Sequence, residues 1–166
     1  MTKIIKELPI INPEKIEKFS DINLFFIRRY GNYIQSSEEA WKAMAAFIEE
    51  NHLDKSNIRY FSISHDDPQI TDEEKLRFDA CIQTQEKIPE SKLNRQNLKG
   101  GKYAIFIHNG PHAKLQEAFD RIFLKWLPDS KDSFDDTRPA FCEHFNLEYV
   151  DADESKLVTK IFIPLI

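Results

Sequence analysis

Two stretches of this chain carry the same pattern of apolar and polar positions. Residues Leu24 to Ile48 (LFFIRRYGNYIQSSEEAWKAMAAFI) and Tyr103 to Trp126 (YAIFIHNGPHAKLQEAFDRIFLKW) each run from a short apolar strand through a glycine turn into a helical segment. In the first helix Trp41, Met44, Ala45 and Ile48 recur at the i, i+3, i+4, i+7 spacing of one buried face, and in the second Phe119, Ile122, Phe123 and Trp126 do the same. Gly31 and Gly110, two of only four glycines, hold equivalent turns, and Glu39-Ala40-Trp41 is answered by Glu117-Ala118-Phe119.

After each helix the pattern changes to strands. Arg59–Ser64 and Leu76–Ile82 follow the first helix, joined by the acidic loop HDDPQITDEEK with Pro68 as its breaker. Ala140–Asn146 and Leu157–Pro164 follow the second, which Pro128 stops. Each half therefore reads β-α-β-β, repeat one over about 23–83 and repeat two over about 102–166, with the polar stretch 84–101 linking them. Ahead of the first repeat, Ile4–Ile11 reads as an entry strand, and a turn at Asn12-Pro13 leads into a short helical stretch ending at Phe19. Ser36 to Glu39 has the form of a capping box for the first helix. The expected fold is a single α+β domain over 1–166: two duplicated β-α-β-β modules that join into one curved antiparallel sheet, with the helices on one face and a cleft between the halves.

Composition narrows the function. The 41% hydrophobic content of 166 residues can fill a core, and thirteen phenylalanines make it aromatic. A net charge of −5 argues against direct nucleic-acid binding. Cys81 and Cys142 form no C-x-x-C, and the N-terminal segment carries no long apolar run, so neither a signal peptide nor a membrane span is expected, and the cytoplasm is the expected location. No phosphate-binding loop or dinucleotide fingerprint is present. His108 and His112 are separated by Asn-Gly-Pro with no further ligand at metal spacing, so no metal and no cofactor are expected.

Several segments resemble the GyrI-like family. SHDDPQITDEEKLRFDACI is similar to its Y-D-D-P-x-x-T-P-x-E-K-L-R-Y-D-A-C segment. GGKYAIFIHNGPHAKLQEAFDRIFLKWLPDS is similar to G-G-x-Y-A-V-x-x-H-x-G-P-Y…W-L-P. RPAFCEHFN and VTKIFIPLI are similar to P-x-F-E-x-Y-L-N and T-E-I-Y-I-P-L. That family includes DNA gyrase inhibitory proteins and the effector-binding domains of AraC-type and MerR-type multidrug regulators, mostly bacterial. The resemblance implies a stand-alone domain that holds a small drug-like ligand in an aromatic cleft with a buried carboxylate. It leaves two alternatives: a hydrolase of small electrophiles, or a protein-binding factor whose partner is gyrase or a regulator.

The candidate carboxylate is Glu143. Strand alternation puts Phe141, Glu143 and Phe145 on one face, an acid between two phenyl rings. Such a group attracts a cation through both charge and ring quadrupole. Tyr33 and His112 match the family's G-P-Y tyrosine and are candidates to lean over the cleft, and Phe61 with Ile63 offers an opposite wall. No residue is assigned a catalytic role on the binding reading, and Glu143 would carry it on the hydrolase reading. Two departures bear on this site. The family's acid follows P-x-F directly, where Cys142 stands here, so either a bulge absorbs one residue or Cys142 takes the acid's place and Glu143 faces elsewhere. Lys160 stands where the family usually carries an acid, which tilts the expected ligand toward a neutral or anionic molecule.

Overall fold

The structure, a computed structural model, describes residues 9–89 and 92–166. Most of the expected Ile4–Ile11 strand lies outside those residues. In chain order the elements are β1 (Lys15–Phe19), β2 (Ile22–Tyr30), α1 (Tyr33–Glu50), β3 (Arg59–Ser64), β4 (Arg77–Gln83), β5 (Asn94–Leu98), β6 (Gly101–Asn109), α2 (Leu115–Arg121), β7 (Phe141–Phe145) and β8 (Val158–Leu165). The α2 helix continues through a π-helical stretch, Ile122–Trp126, into a last turn, Leu127–Asp129. Pro128 lies just past that wide turn; its ring would collide with the Leu124 carbonyl in a regular α-helix.

All eight strands form one antiparallel sheet in the order β1-β6-β8-β7-β3-β4-β2-β5. The order has an internal symmetry, with β6-β8-β7 on one side matched by β2-β4-β3 on the other. The two turns match as well. Gly31 and Gly110 both have positive φ, +118° and +113°. Gly31 N–H donates to the Leu76 carbonyl at 3.0 Å and Gly110 N–H to the Leu157 carbonyl at 2.8 Å. Only glycine adopts these angles without strain. The outer strands cross over: β1, which precedes the first half, pairs with β6 of the second, and β5, which precedes the second half, pairs with β2 of the first. Lys15–Phe19 is thus a strand, not the short helical stretch expected, because its pairing with β6 satisfies backbone groups that a one-turn helix would leave open.

Helix α1 buries Ala40, Met44 and Ile48 against Phe78, Ala80 and Ile82 of β4. Ala45, expected in that stripe, is exposed, and the packing face runs through Ala40 instead. The helix also starts three residues before the expected capping box: Asn32 accepts from Gln35 N–H at 2.9 Å, and Ser36 is buried against the sheet. Tyr33 decides this start, because its ring packs on Phe78 and its hydroxyl is tied to the backbone of Asp66. The second helix buries Ala118 and Ile122 against Ala104, Phe106, Ile161 and Ile163, with Phe119, Phe123 and Trp126 packed around them.

The face opposite the helices is also filled. Leu24, Phe61, Ile63, Tyr103, Ile105, Phe141 and Phe162 form a third apolar cluster there. Phe141 stacks on Phe162 at 4.5 Å, and Tyr103 meets Phe141 edge-on at 5.5 Å. The edges are brought close at Gly100: a Cβ there would collide with the Phe19 carbonyl oxygen and lie 2.7 Å from the Ser20 carbonyl carbon. A Gly100→Ala substitution is expected to cost about 1–3 kcal/mol, since it forces backbone against backbone. Chemical denaturation checks this, and a loss below about 0.5 kcal/mol would show that the β1–β2 turn yields freely.

Candidate functional site

The two halves meet where β3 pairs with β7. This join is the shortest in the central sheet, with three residue pairs: Tyr60 opposite His144, Phe61 opposite Glu143 and Ser62 opposite Cys142. The pairing continues in register from β7 to β8, with Cys142 opposite Ile161 and Glu143 opposite Lys160. No bulge interrupts β7. Strand parity therefore sends Cys142 and His144 toward the helices and Glu143 to the other face. The candidate residues divide accordingly. Phe61, Ile63, Phe141, Glu143 and Phe145 share the face away from the helices, whereas Tyr33 and His112 stand at the helix entrances.

Glu143 is 4% exposed, but it is not alone. Arg59, two residues before Phe61 on β3, donates from Nε to one carboxylate oxygen at 2.7 Å and from Nη2 to the other at 2.8 Å. Its Nη1 donates to Gln83 Oε1 at 3.0 Å, and the guanidinium lies 5.1 Å from the centre of the Phe61 ring. The hydrogen bond from Arg59 to Glu143 pulls the arginine pKa upward against the opposing effect of burial. Lys160, the cross-strand neighbour of Glu143, places Nζ 5.4 Å from the Phe145 ring. Glu143 is thus closed by a planar cation from the neighbouring strand, on the strand face it shares with Phe141 and Phe145.

A second carboxylate lies on the same face in the first half. Asp79 is fully buried; it accepts from Arg28 Nε at 2.7 Å, Arg28 Nη2 at 2.9 Å and Gln96 Nε2 at 2.9 Å, and lies 2.6 Å from His65 Nε2. Burial pushes this carboxyl up, but the hydrogen bonds from Arg28, His65 and Gln96 outweigh it and hold the pKa at about 2.

The helix side of the seam is different in kind. His144 is 7% exposed, with Nε2 2.7 Å from Ser62 Oγ and Nδ1 3.5 Å from Thr159 Oγ1. Its ring meets His112 at 4.9 Å and Trp41 of α1 at 5.9 Å, both edge-to-face. Burial, then the neighbouring His112, depresses the His144 pKa to about 3, so the ring is neutral at pH 7. Burial also lowers His112 and pushes the Cys142 thiol up to about 12. The floor of the seam is therefore uncharged throughout. Among the described residues, His112 Nε2 is buried with no hydrogen-bond partner. Tyr33 does not share this spare capacity: its hydroxyl donates to the Asp66 carbonyl at 2.8 Å and accepts from the Asp66 N–H at 2.9 Å.

Two open hollows flank the sheet. One of about 770 Å³ lies between β2 and α1, lined by Arg28, Arg29, Tyr30 and Phe47, and one of about 460 Å³ lies beside β6 and α2, lined by Ile11, His108 and Arg121. Neither of these two is lined by Glu143 or His144.

The sequence profile described as "GyrI-like small molecule binding domain" matches residues 14–166. The chain belongs to the GyrI-like family. Among its relatives is the Escherichia coli (strain K12) protein named "Probable transcriptional regulator YgiV", 31% identical over 107 residues, which are 63% of this chain and 66% of that protein. This chain therefore matches slightly less than two thirds of that relative's length. The fold is shared with the EcmrR C-terminal domain (TM-score 0.71, 13% identity, 92% of this chain and 96% of that one). It is shared too with SAV2435, solved bound to tetraphenylphosphonium (TM-score 0.56, 14% identity, 92% and 93%). In this GyrI-like domain the regular register of β7 places Cys142, not Glu143, directly after Pro139-Ala140-Phe141 on the helix side. The residues that sequence reasoning passed over at the two faces are Arg59, Ser62 and Thr159. Arg59 carried a signal, since it shares a strand face with Phe61 and Ile63; the two hydroxyls carried none. Among the described residues no helix is long and apolar enough to cross a membrane, and no group of three or more metal-ligating side chains forms.

Proposed function

We propose that this GyrI-like domain binds an uncharged, aromatic organic molecule with a hydrogen-bonding group, on the helix side of the seam between Trp41 and His112. The observation that carries this reading is the buried neutral polar floor of Ser62, His144 and Thr159 beside the unpartnered Nε2 of His112. A buried ring nitrogen without a partner costs on the order of 1–3 kcal/mol, which a ligand's hydrogen bond would recover. The floor itself offers a cation no counter-charge, since Cys142 stands in β7 where the family pattern has an acid and its thiol stays protonated; Glu154 acts on His112 from the side. Trp41 and His112, whose rings both meet His144 edge-on, flank that floor.

The test is a thermal-shift titration with uncharged phenols and anilides beside tetraphenylphosphonium, on the wild type and on Trp41→Ala and His112→Ala. Binding of neutral compounds that weakens at least tenfold in both variants supports the reading, because bound ligand stabilises the fold by mass action. Binding that both variants retain, or a response to the cation alone, overturns it.

The carboxylate-anchored cleft at Phe141, Glu143 and Phe145 is the alternative site. Both carboxylate oxygens of Glu143 are held by Arg59, so a ligand or an attacking water reaches that acid only after Arg59 leaves. On the hydrolase version Glu143→Gln abolishes turnover of a reactive electrophile; equal turnover in the variant would remove it. A protein partner that reads the liganded state, gyrase or a regulator, belongs to the same proposal, motivated by a relative named as a regulator.

A further inference from the structure

We propose that strand β1 is the edge through which this chain pairs with a second copy of itself, antiparallel about a two-fold axis at Ile16. The inference is independent of the ligand reading, since β6 and β8 lie between β1 and the β3–β7 seam.

β1 pairs with β6 on one side, and among the described residues no strand covers its other edge. Register shows which backbone groups that edge presents. Gly110 N–H donates to the Leu157 carbonyl at 2.8 Å, and the β6–β8 pairing runs unbroken from Asn109 opposite Val158 to Lys102 opposite Leu165. Every second residue back from Gly110 therefore turns its N–H and C=O toward β8, and Gly101, Tyr103 and Ile105 turn theirs toward β1. Their partners are Phe19, Glu17 and Lys15. Ile16 and Lys18 are left with their backbone groups on the open edge, and both side chains are exposed.

A strand that pairs antiparallel with its own copy must set open-edge residues against open-edge residues, which leaves few registers. Lys18 against Lys18 brings two ammonium groups together. Glu14 against Ile16 sets Lys15 on Lys15, and Ile16 against Lys18 sets Glu17 on Glu17. Ile16 against Ile16 avoids all of these: Lys15 falls opposite Glu17 on one face of the sheet and Glu14 opposite Lys18 on the other. Every charge then meets its opposite, and the exposed apolar residue meets itself. In the single chain Lys15 Nζ lies 3.0 Å from Glu17 Oε2 along the strand, with both side chains about half exposed, so the two pairs are placed to merge across the axis. Lysines on an edge strand often guard it against pairing. A guard works by like charge, whereas Glu14 to Lys18 holds two acids and two lysines and sums to zero. The two-fold closes, so association stops at the dimer. The joint is short, so the dimer is weak, dissociating on the order of 10–100 µM.

Sedimentation velocity of the full chain over about 5–500 µM reads this equilibrium directly. Lys15→Glu and Glu17→Lys each set like charges across the axis and are expected to weaken self-association about tenfold or more. An equimolar mixture of the two variants is expected to form a one-to-one dimer, and the exchange variant Lys15→Glu/Glu17→Lys to dimerise as the wild type does. Ile16→Pro removes an N–H from the open edge and none from the β6 ladder, so it is expected to abolish the dimer in a chain that circular dichroism shows folded. A wild type that stays monomeric throughout overturns the proposal. So does a dimer that both single charge variants keep, a mixture of them that stays monomeric, or growth beyond the dimer, which would mean a head-to-tail contact. Should Ile16→Pro fail to fold, the charge series decides by the same outcomes.

Discussion

Asp79→Ala is expected to destabilise the fold by about 3–5 kcal/mol, among the largest single-residue losses in the molecule. The carboxylate is fully buried, and Arg28, Gln96 and His65 converge on it. Alanine leaves a partly buried guanidinium and two further polar groups without their acceptor, and removing one partner of a buried pair costs far more than the net worth of the pair. Urea unfolding at pH 7.5 checks the value. A loss under about 1 kcal/mol would mean that water replaces the carboxylate. The same group adds an acid limb to the stability profile. Its pKa is about 2 in the fold, below the unfolded value of about 3.9, so the fold binds fewer protons in that interval. Roughly 2 kcal/mol is present above pH 4 and disappears as the pH falls through 2.

Stability is also expected to fall by about 1.4 kcal/mol for each pH unit below 6.5, down to about pH 3, from His144 alone. The sign follows from the direction of its shift. Burial against Ser62, Thr159, Cys142 and Trp41, and then the facing His112, hold the folded pKa at about 3. In the unfolded chain the ring takes up a proton near pH 6.5, so in this window the unfolded state binds more protons. At pH 5 the loss is about 2 kcal/mol, and His112, lowered by burial and by His108, adds to it in the same direction. Unfolding midpoints measured from pH 7.5 to 4.5 give the slope directly. His144→Gln keeps a hydrogen-bonding group toward Ser62 and removes the titration, so its slope should be flatter. Identical slopes for the wild type and His144→Gln would show that the seam admits water and that the ring protonates in place.

Much of the fold was legible because it rests on local periodicity. The strand limits at Arg59–Ser64 and near Leu157–Pro164, the glycine turns and the pairing of two β-α-β-β halves follow from spacing within a few residues. The site was legible in part. Alternation groups Phe141, Glu143 and Phe145 on one face, and the structure keeps them there. Alternation does not say which face the helices cover, and this decided the roles of Cys142 and Glu143. Arg59 was missed for a related reason: its partner lies 84 residues away, and only the β3–β7 register brings the two together. Lys15–Phe19 was misread because its charged alternation is weak by itself and its partner strand is β6, in the other half of the chain.

Local chemistry, then, determined the repeat, the elements within it and the identity of the aromatic core, because each depends on residues close in sequence. Tertiary structure alone decided the exchange of outer strands, the neutral polar floor under Trp41 and the bidentate closure of Glu143. Those depend on register between distant strands. A shift of one residue there would have turned every side chain of β7 to the opposite face.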